Sequence, residues 1–159
     1  KLEGGLEYIP HIKAIAKAGI PVMAHLGLTP QFVNILGGYK VQGKDEFGAK
    51  QTLQEAKEAQ NAGAFAVLLE CVPKELGKKI ADDLNVPVIG IGAGKHCDGQ
   101  VLVWHDILGL NLDFKPKFVK TFANVSEGIK AYIKEVKEGT FPDEKYSFST
   151  SEEVLKKIY

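Results

Sequence analysis

The chain has 159 residues with 20 basic and 20 acidic side chains, and every basic one is Lys. A balanced charge without an Arg cluster argues against a nucleic-acid partner, because phosphate contacts dominate such binding. The longest apolar runs fall well short of the roughly 18 residues that a membrane span needs, so the composition predicts a soluble protein.

Four short apolar stretches predict β-strands, and three of them carry a polar side chain near the C-terminal end. The stretches are residues 1–5 with Glu3, residues 20–26 with His25, residues 64–72 with Glu70, and residues 86–91. The last runs into a glycine-rich segment, residues 90–94, which lacks the glycine spacing of a dinucleotide-binding loop. That segment is either a tight turn after the strand or a place where the backbone approaches a ligand closely.

Apolar residues at helical spacing lie between and after the predicted strands. Helices are expected over residues 6–18, 31–36, 49–62, 73–84, 100–108 and 129–136, with a short amphipathic helix after residue 150. Thr29 is the expected N-cap of the second helix, and Gly19, Gly63 and Gly139 are expected to end three of the others. The segment between residues 27 and 48 is long for a connection, which is typical of functional loops.

A repeated strand-then-helix order, with polar side chains at the C-terminal ends of strands, is how a (β/α)8 TIM barrel builds its active site. Such a barrel usually needs eight strands and roughly 250 residues. We therefore expect an α/β fold in which this chain supplies roughly the C-terminal half of a barrel. Residues 1–148 would belong to one barrel domain, and residues 149–159 would form a helical extension. Because the chain opens on Lys1 rather than Met, its natural beginning is expected to be missing.

The polar residues of the predicted strands also have purely structural interpretations. A lone His in an apolar strand, such as His25, is more often a core residue with its hydrogen bonds satisfied. Glu70 would cap a neighbouring backbone or pair with a Lys, and Lys1 would be a solvated charge. Cys71 and Cys97 show no spacing typical of zinc binding or of a disulfide framework, so they are predicted to be reduced, partly buried thiols.

Five motifs together resemble the ketopantoate hydroxymethyltransferase family. They are HLGLTPQ at residues 25–31, GGYKVQG at 37–43, LECVP at 69–73, VIGIGAG at 88–94 and DGQVLV at 98–103. The resemblance covers nearly all of the chain to Phe148. It implies transfer of a one-carbon unit from 5,10-methylenetetrahydrofolate to α-ketoisovalerate, which gives ketopantoate for pantothenate synthesis.

The resemblance also implies roles for four residues. Glu70 resembles the general base that takes the proton from C3 of the keto acid. Lys1 and His25 resemble contacts to the keto acid. Glu3 resembles the carboxylate of a Mg²⁺ site, which acts directly or through bound water. The metal would act as a Lewis acid that stabilises the developing enolate.

Further expectations concern the whole enzyme. The family has an N-terminal segment with two metal-binding aspartates and a serine that touches substrate, so that segment is an expected partner, and we expect little or no activity from these 159 residues alone. A cytoplasmic homo-oligomer, a decamer, is also implied. Two alternatives remain open: a structural half that only complements a partner segment, and a magnesium-dependent barrel enzyme of the phosphoenolpyruvate and isocitrate lyase kind.

Overall fold

The computed structural model describes residues 1–113 and 115–147, which fall into two compact units. The first unit comprises Lys1–Val103 and Pro116–Val119, and the second comprises the described residues of Trp104–Lys115 and Lys120–Tyr159. The helical extension predicted over residues 149–159 lies outside the described residues. The single barrel domain over residues 1–148 stays a prediction.

The first unit is built on a five-stranded parallel sheet in which each strand pairs with the strand before it in the chain. The strands are β1 (Leu2–Glu3), β2 (Met23–Gly27), β3 (Ala66–Glu70), β4 (Val88–Ile91) and β5 (Gly99–Gln100). The first four confirm the predicted strands, although each is shorter than the apolar run that indicated it. The α/β class with a parallel sheet is therefore confirmed.

Helices connect the first four strands and cover one face of the sheet. They are α1 (Ile9–Lys17), α2 (Glu46–Asn61) and α3 (Lys74–Asp83), with short 3-10 helices at Leu6–Tyr8 and Pro30–Phe32. Alternate residues of the strands join the helices in one buried core, which includes Ile12, Ala24, Leu26, Ala56, Ala59, Val67, Leu69 and Ile80. Because side chains alternate along a strand, the residues between these, such as His25 and Glu70, face the opposite side of the sheet.

Helix α2 and the segment after Thr29 differ from the sequence-based prediction. Helix α2 begins at Glu46, three residues before the predicted start, because the Asp45 side chain accepts a hydrogen bond from the Gly48 N–H at 2.8 Å and caps the helix. Thr29 makes no side-chain cap, and the predicted helix after it is only the 3-10 turn that ends at Phe32.

The predicted helix over residues 100–108 is wrong in its first half. Gly99 and Gln100 form β5, and the Val101 N–H continues this pairing by donating to the Gly90 carbonyl at 3.0 Å. Pairing with a formed strand outweighs the local helical pattern. Helix α4 keeps only Trp104–Ile107, which lies in the second unit.

The second unit also contains α5 (Val125–Glu138), which confirms the helix predicted around residues 129–136. Gly139 ends it with a left-handed φ of 69°, as expected for a C-terminal cap. A 3-10 helix follows at Glu144–Tyr146. Within residues 1–113 and 115–147, no helix has the length and apolar character that crossing a membrane requires.

Candidate active site

Four predicted site residues lie in, or directly before, three adjacent strands. Glu3 of β1 is in register with His25 of β2, and Glu70 of β3 is in register with Gly27, two residues beyond His25. The two-residue period of a strand therefore places Glu3, His25 and Glu70 on one face of the sheet. Lys1 precedes Glu3 by the same period. The structure thus brings together the side chains that the sequence placed at separate strand ends.

His25 is the centre of this cluster, and both of its ring nitrogens face protein groups. Its Nε2 lies 3.0 Å from Glu70 Oε2, and its Nδ1 lies 2.9 Å from Lys1 Nζ. Glu3 Oε1 lies 3.4 Å from the same Nδ1. The His25 side chain is only 2% exposed. Its geometry fits a residue that holds Glu70 and Lys1 in place, and its contact with substrate stays a prediction.

The hydrogen-bond partners of His25 indicate which ring nitrogen carries the proton. A Lys ammonium only donates hydrogen bonds, so Nδ1 must accept one from Lys1. The ring proton then lies on Nε2, which donates to the carboxylate of Glu70. The imidazole thus links Lys1 to Glu70. With Glu3 included, the cluster carries one positive and two negative charges.

Glu3 is held by a loop that the sequence did not connect with it. Its Oε2 accepts a hydrogen bond from the Gln31 N–H at 3.0 Å, and its Oε1 lies 3.6 Å from Lys1 Nζ. Gln31 ends the HLGLTPQ motif. The same loop is joined to the end of β3, because the Leu28 N–H donates to the Glu70 carbonyl at 2.8 Å and the Gln42 N–H donates to the Cys71 carbonyl at 2.9 Å.

The residue after Glu70 has an unusual backbone. Cys71 has a φ of 53°, and no other non-glycine residue among those described has a positive φ. Its N–H donates to the Ile91 carbonyl at 2.8 Å. Burial raises the pKa of the Cys71 thiol, and the charge of Glu70 raises it further. Cys71 and Cys97 are both free, and burial raises the pKa of Cys97 as well, so neither is activated as a nucleophile.

Packing explains the glycines of residues 90–94, a segment that begins in β4 and continues beyond it. A Cβ on Gly94 would overlap the side chain of Lys74, and one on Gly92 would lie 2.7 Å from the ring of Phe118. A Cβ on Gly90 would lie 2.9 Å from Cys97 Sγ. These contacts favour the tight turn over a ligand-binding backbone.

A cavity of 370 Å³ opens near the C-terminal end of β2, and none of the four side chains of the cluster lines it. Gly4 and Gly5, which follow Glu3, form part of its wall, and so do Leu26 and Gly27, which follow His25. Glu55 of α2 also lines the cavity and is only 8% exposed. The sequence analysis missed Glu55. The available signal was an acidic residue beside Ala56 on the apolar face of α2.

The predicted role of Glu3 at a Mg²⁺ site can be compared with the residues around it. Within residues 1–113 and 115–147, no three His, Cys, Asp or Glu side chains lie close enough together to hold a metal ion. Mg²⁺ binds through one or two protein carboxylates and keeps several waters, so Glu3 fits such an ion through its oxygen chemistry. Because its two oxygens already face Lys1, His25 and Gln31, a contact through bound water fits better than direct ligation.

A His–Glu pair, a second Glu and a Lys on one face of a parallel α/β sheet are typical of the class of enzymes. Comparison with known proteins agrees with this class. The family described as ketopantoate hydroxymethyltransferase matches residues 1–144, and the chain belongs to that family of enzymes.

Several relatives of this chain are named as hydroxymethyltransferases. The chain is 55% identical to 3-methyl-2-oxobutanoate hydroxymethyltransferase of Clostridium botulinum (strain Langeland), over all of this chain and 59% of that protein. It is 56% identical to the protein of the same name in Clostridium novyi (strain NT) and 55% identical to that of Enterococcus faecalis, with the same two shares. The chain therefore spans 59% of the length of these relatives.

Proposed function

We propose that the protein transfers a hydroxymethyl group from 5,10-methylenetetrahydrofolate to α-ketoisovalerate, forming ketopantoate for pantothenate synthesis. The C3–H bond of the keto acid and the two bonds from the methylene carbon to the folate nitrogens break, while a C3–CH2 bond forms. Water supplies the hydroxyl oxygen, and the protons released from C3 and from water end on the two nitrogens of tetrahydrofolate. The observation that carries the proposal is the contact of 3.0 Å between His25 Nε2 and Glu70 Oε2 at the end of β3.

Glu70 is the proposed base for the C3 proton. Its side chain is 15% exposed, so the carboxylate is shielded but reachable. His25 binds one of its oxygens and fixes the orientation of the carboxylate. Because a base must lie within hydrogen-bond distance of the proton it removes, a fixed carboxylate at the strand end suits this step.

Lys1 is the proposed anchor for the negatively charged keto acid. Its side chain is 44% exposed, whereas that of Glu3 is 9% exposed, so the ammonium is the more open end of the cluster. His25 and Glu3 hold the ammonium from the protein side. A further hydrogen bond from Lys1 to the substrate carboxylate would then place C3 near Glu70.

Glu3 is the proposed contribution of this chain to a Mg²⁺ site, through bound water. When bound, Mg²⁺ acts as a Lewis acid that withdraws charge from the keto oxygen and makes the C3 proton more acidic. Glu3 itself would orient the water molecules and balance the charge of Lys1.

The barrel fold, an N-terminal segment and a homo-oligomer are part of the same proposal. Strands that pair in chain order, all parallel, are expected in a (β/α)8 barrel, and barrels place their active sites at the C-terminal strand ends, where Glu3 and Glu70 lie. We also propose that an N-terminal segment completes the metal site, and that the enzyme works in the cytoplasm as a homo-oligomer. The sequence motifs are the support for these points.

The test follows the C3 proton of α-ketoisovalerate in D2O, with Mg²⁺ present and no folate. Wild-type protein that includes the proposed N-terminal segment should exchange this proton for deuterium. In the same protein, Glu70→Gln should slow exchange by about 10²- to 10⁴-fold, the usual contribution of a positioned base. Glu75→Gln is the control, since its side chain is 75% exposed on α3. Exchange by Glu70→Gln at the wild-type rate would contradict the proposed base. Folate-dependent turnover without carbon–carbon cleavage would separate this function from that of a lyase.

A further inference from the structure

The first strand of the sheet carries two proposed site residues on a short pairing. Lys1 directly precedes β1 and Glu3 ends it, and β1 pairs with β2 at only two residue positions. The Gly4 N–H then donates to the His25 carbonyl at 3.4 Å, which is a long hydrogen bond. Because so few bonds fix β1, the position of Lys1 and Glu3 also depends on contacts of the turn that follows, residues 4–6.

Glu55 of α2 packs against this turn. A Cβ added to Gly5 would overlap Glu55 Oε1, so the carboxylate lies directly against the backbone of Gly5. The same oxygen accepts a hydrogen bond from Gln51 Nε2 at 2.9 Å, and Glu55 is only 8% exposed. The carboxylate is thus held between the turn and its own helix.

The groups around the Glu55 carboxylate link it to the backbone of the turn. Burial raises the pKa of Glu55, and the hydrogen bond from Gln51 opposes this rise. The charge of Glu7 raises the pKa further, whereas a hydrogen bond with the backbone of Leu6 lowers it. A buried carboxylate has lost its hydration, so these N–H donors replace water. Displacement of the turn would leave the carboxylate with fewer donors, and Glu55 therefore opposes that displacement.

We propose that Glu55 is a positioning residue that acts on Lys1 and Glu3 through the turn of residues 4–6. The inference rests on the proposed function, in which Lys1 binds the keto acid and Glu3 supports Mg²⁺. When the turn is displaced, both groups leave their binding positions while the proposed base stays on β3. Only a fraction of the molecules can then bind, which raises the apparent dissociation constants and leaves the bound complex unchanged.

The C3 exchange assay tests this role when the concentrations of keto acid and Mg²⁺ are varied, with protein that includes the proposed N-terminal segment. Glu55→Leu removes the acceptor and should raise both half-saturating concentrations by about 10- to 100-fold, the usual effect of losing a group that orients a ligand. The rate at saturation should stay at the wild-type value. Glu55→Gln should resemble wild type, because its amide oxygen can accept both hydrogen bonds. Unchanged half-saturation in Glu55→Leu, or an equal rise in both variants, would overturn the inference.

Two further variants separate positioning from stability. Ile80→Ala removes side-chain volume at a fully buried position of α3, so it should lower the fraction of folded protein and the rate at saturation without changing half-saturation. The same behaviour in Glu55→Leu would show a merely structural role and refute the inference. Gly5→Ala leaves Glu55 in place, and the φ of −88° at Gly5 suits alanine. Its Cβ would displace the carboxylate, so half-saturation should rise, and wild-type values would contradict the inference.

Amide hydrogen exchange of Leu6, followed by NMR, gives a measurement that does not depend on catalysis. The Leu6 N–H should exchange faster in Glu55→Leu than in Glu55→Gln, because only the latter keeps an acceptor. The two proposals fail separately: absence of C3 exchange in the wild type would refute the proposed function, whereas equal amide exchange in the two variants would refute only the positioning role.

Discussion

Gly27 connects the packing of the sheet to the position of the proposed base. It ends β2 with a φ of 83°, and a Cβ added to it would overlap the carbonyl oxygen of Glu70 and lie 2.8 Å from Val72 Cγ1. Gly27→Ala therefore combines a strained backbone with a steric overlap. Gly19 offers a matched comparison, because its φ is 80° and a Cβ there would meet nothing within 4 Å.

The two variants separate the strain from the overlap. Left-handed backbone costs an alanine about 1–2 kcal/mol, and the stiffer unfolded chain returns about 0.4–1 kcal/mol. Gly19→Ala should thus lower the free energy of unfolding by about 0–1.5 kcal/mol. Gly27→Ala should lower it by a further 1–3 kcal/mol or so, the usual penalty of overpacking.

Urea unfolding followed by circular dichroism measures both free energies, and the C3 exchange assay measures the effect on Glu70. Gly27→Ala should slow exchange, because relief of the overlap moves the Glu70 backbone away from His25. Gly19→Ala should exchange at the wild-type rate. Equal destabilisation by the two substitutions would refute the argument that β2 and β3 pack too closely for a side chain at residue 27.

Four other substitutions, at three positions, follow from the structure. Burial raises the pKa of Glu55 above its ordinary value of 4.5, so the folded state binds this proton more tightly than the unfolded chain does. The stability that protonated Glu55 contributes is complete below pH 4.5 and is lost as pH rises through the pKa of the folded state. The free energy of unfolding of Glu55→Gln should therefore increase relative to that of wild type as pH rises above 4.5. Urea unfolding at several pH values measures this difference. Cys71→Gly should raise the free energy of unfolding by up to about 1 kcal/mol by relieving a positive φ, whereas Cys71→Val should lower it. Ile80→Ala, at a fully buried core position, should lower it by about 2–5 kcal/mol in the same unfolding assay.

The sequence predicted those parts of the candidate site that depend on patterns within short stretches of residues. A polar residue at the end of an apolar run is visible in the sequence, and parallel strands bring such ends together, so the proximity of Glu3, His25 and Glu70 could be predicted. Glu55 was missed because its burial depends on contact between α2 and the turn after β1. Strand β5 was missed for a similar reason, since two residues carry no periodicity and their pairing with β4 is a tertiary contact.

The register of the sheet gives the core and the proposed site a common origin. His25 faces the cluster while its neighbour Leu26 is buried in the core with Leu69. A slip of one residue between β2 and β3 would turn Leu26 toward the cluster and His25 into the apolar layer. Burial of the core side chains therefore opposes any register that would separate His25 from Glu70. Gly27 permits the close approach that this register requires, so contacts that stabilise the fold also set the 3.0 Å distance on which the proposed chemistry depends.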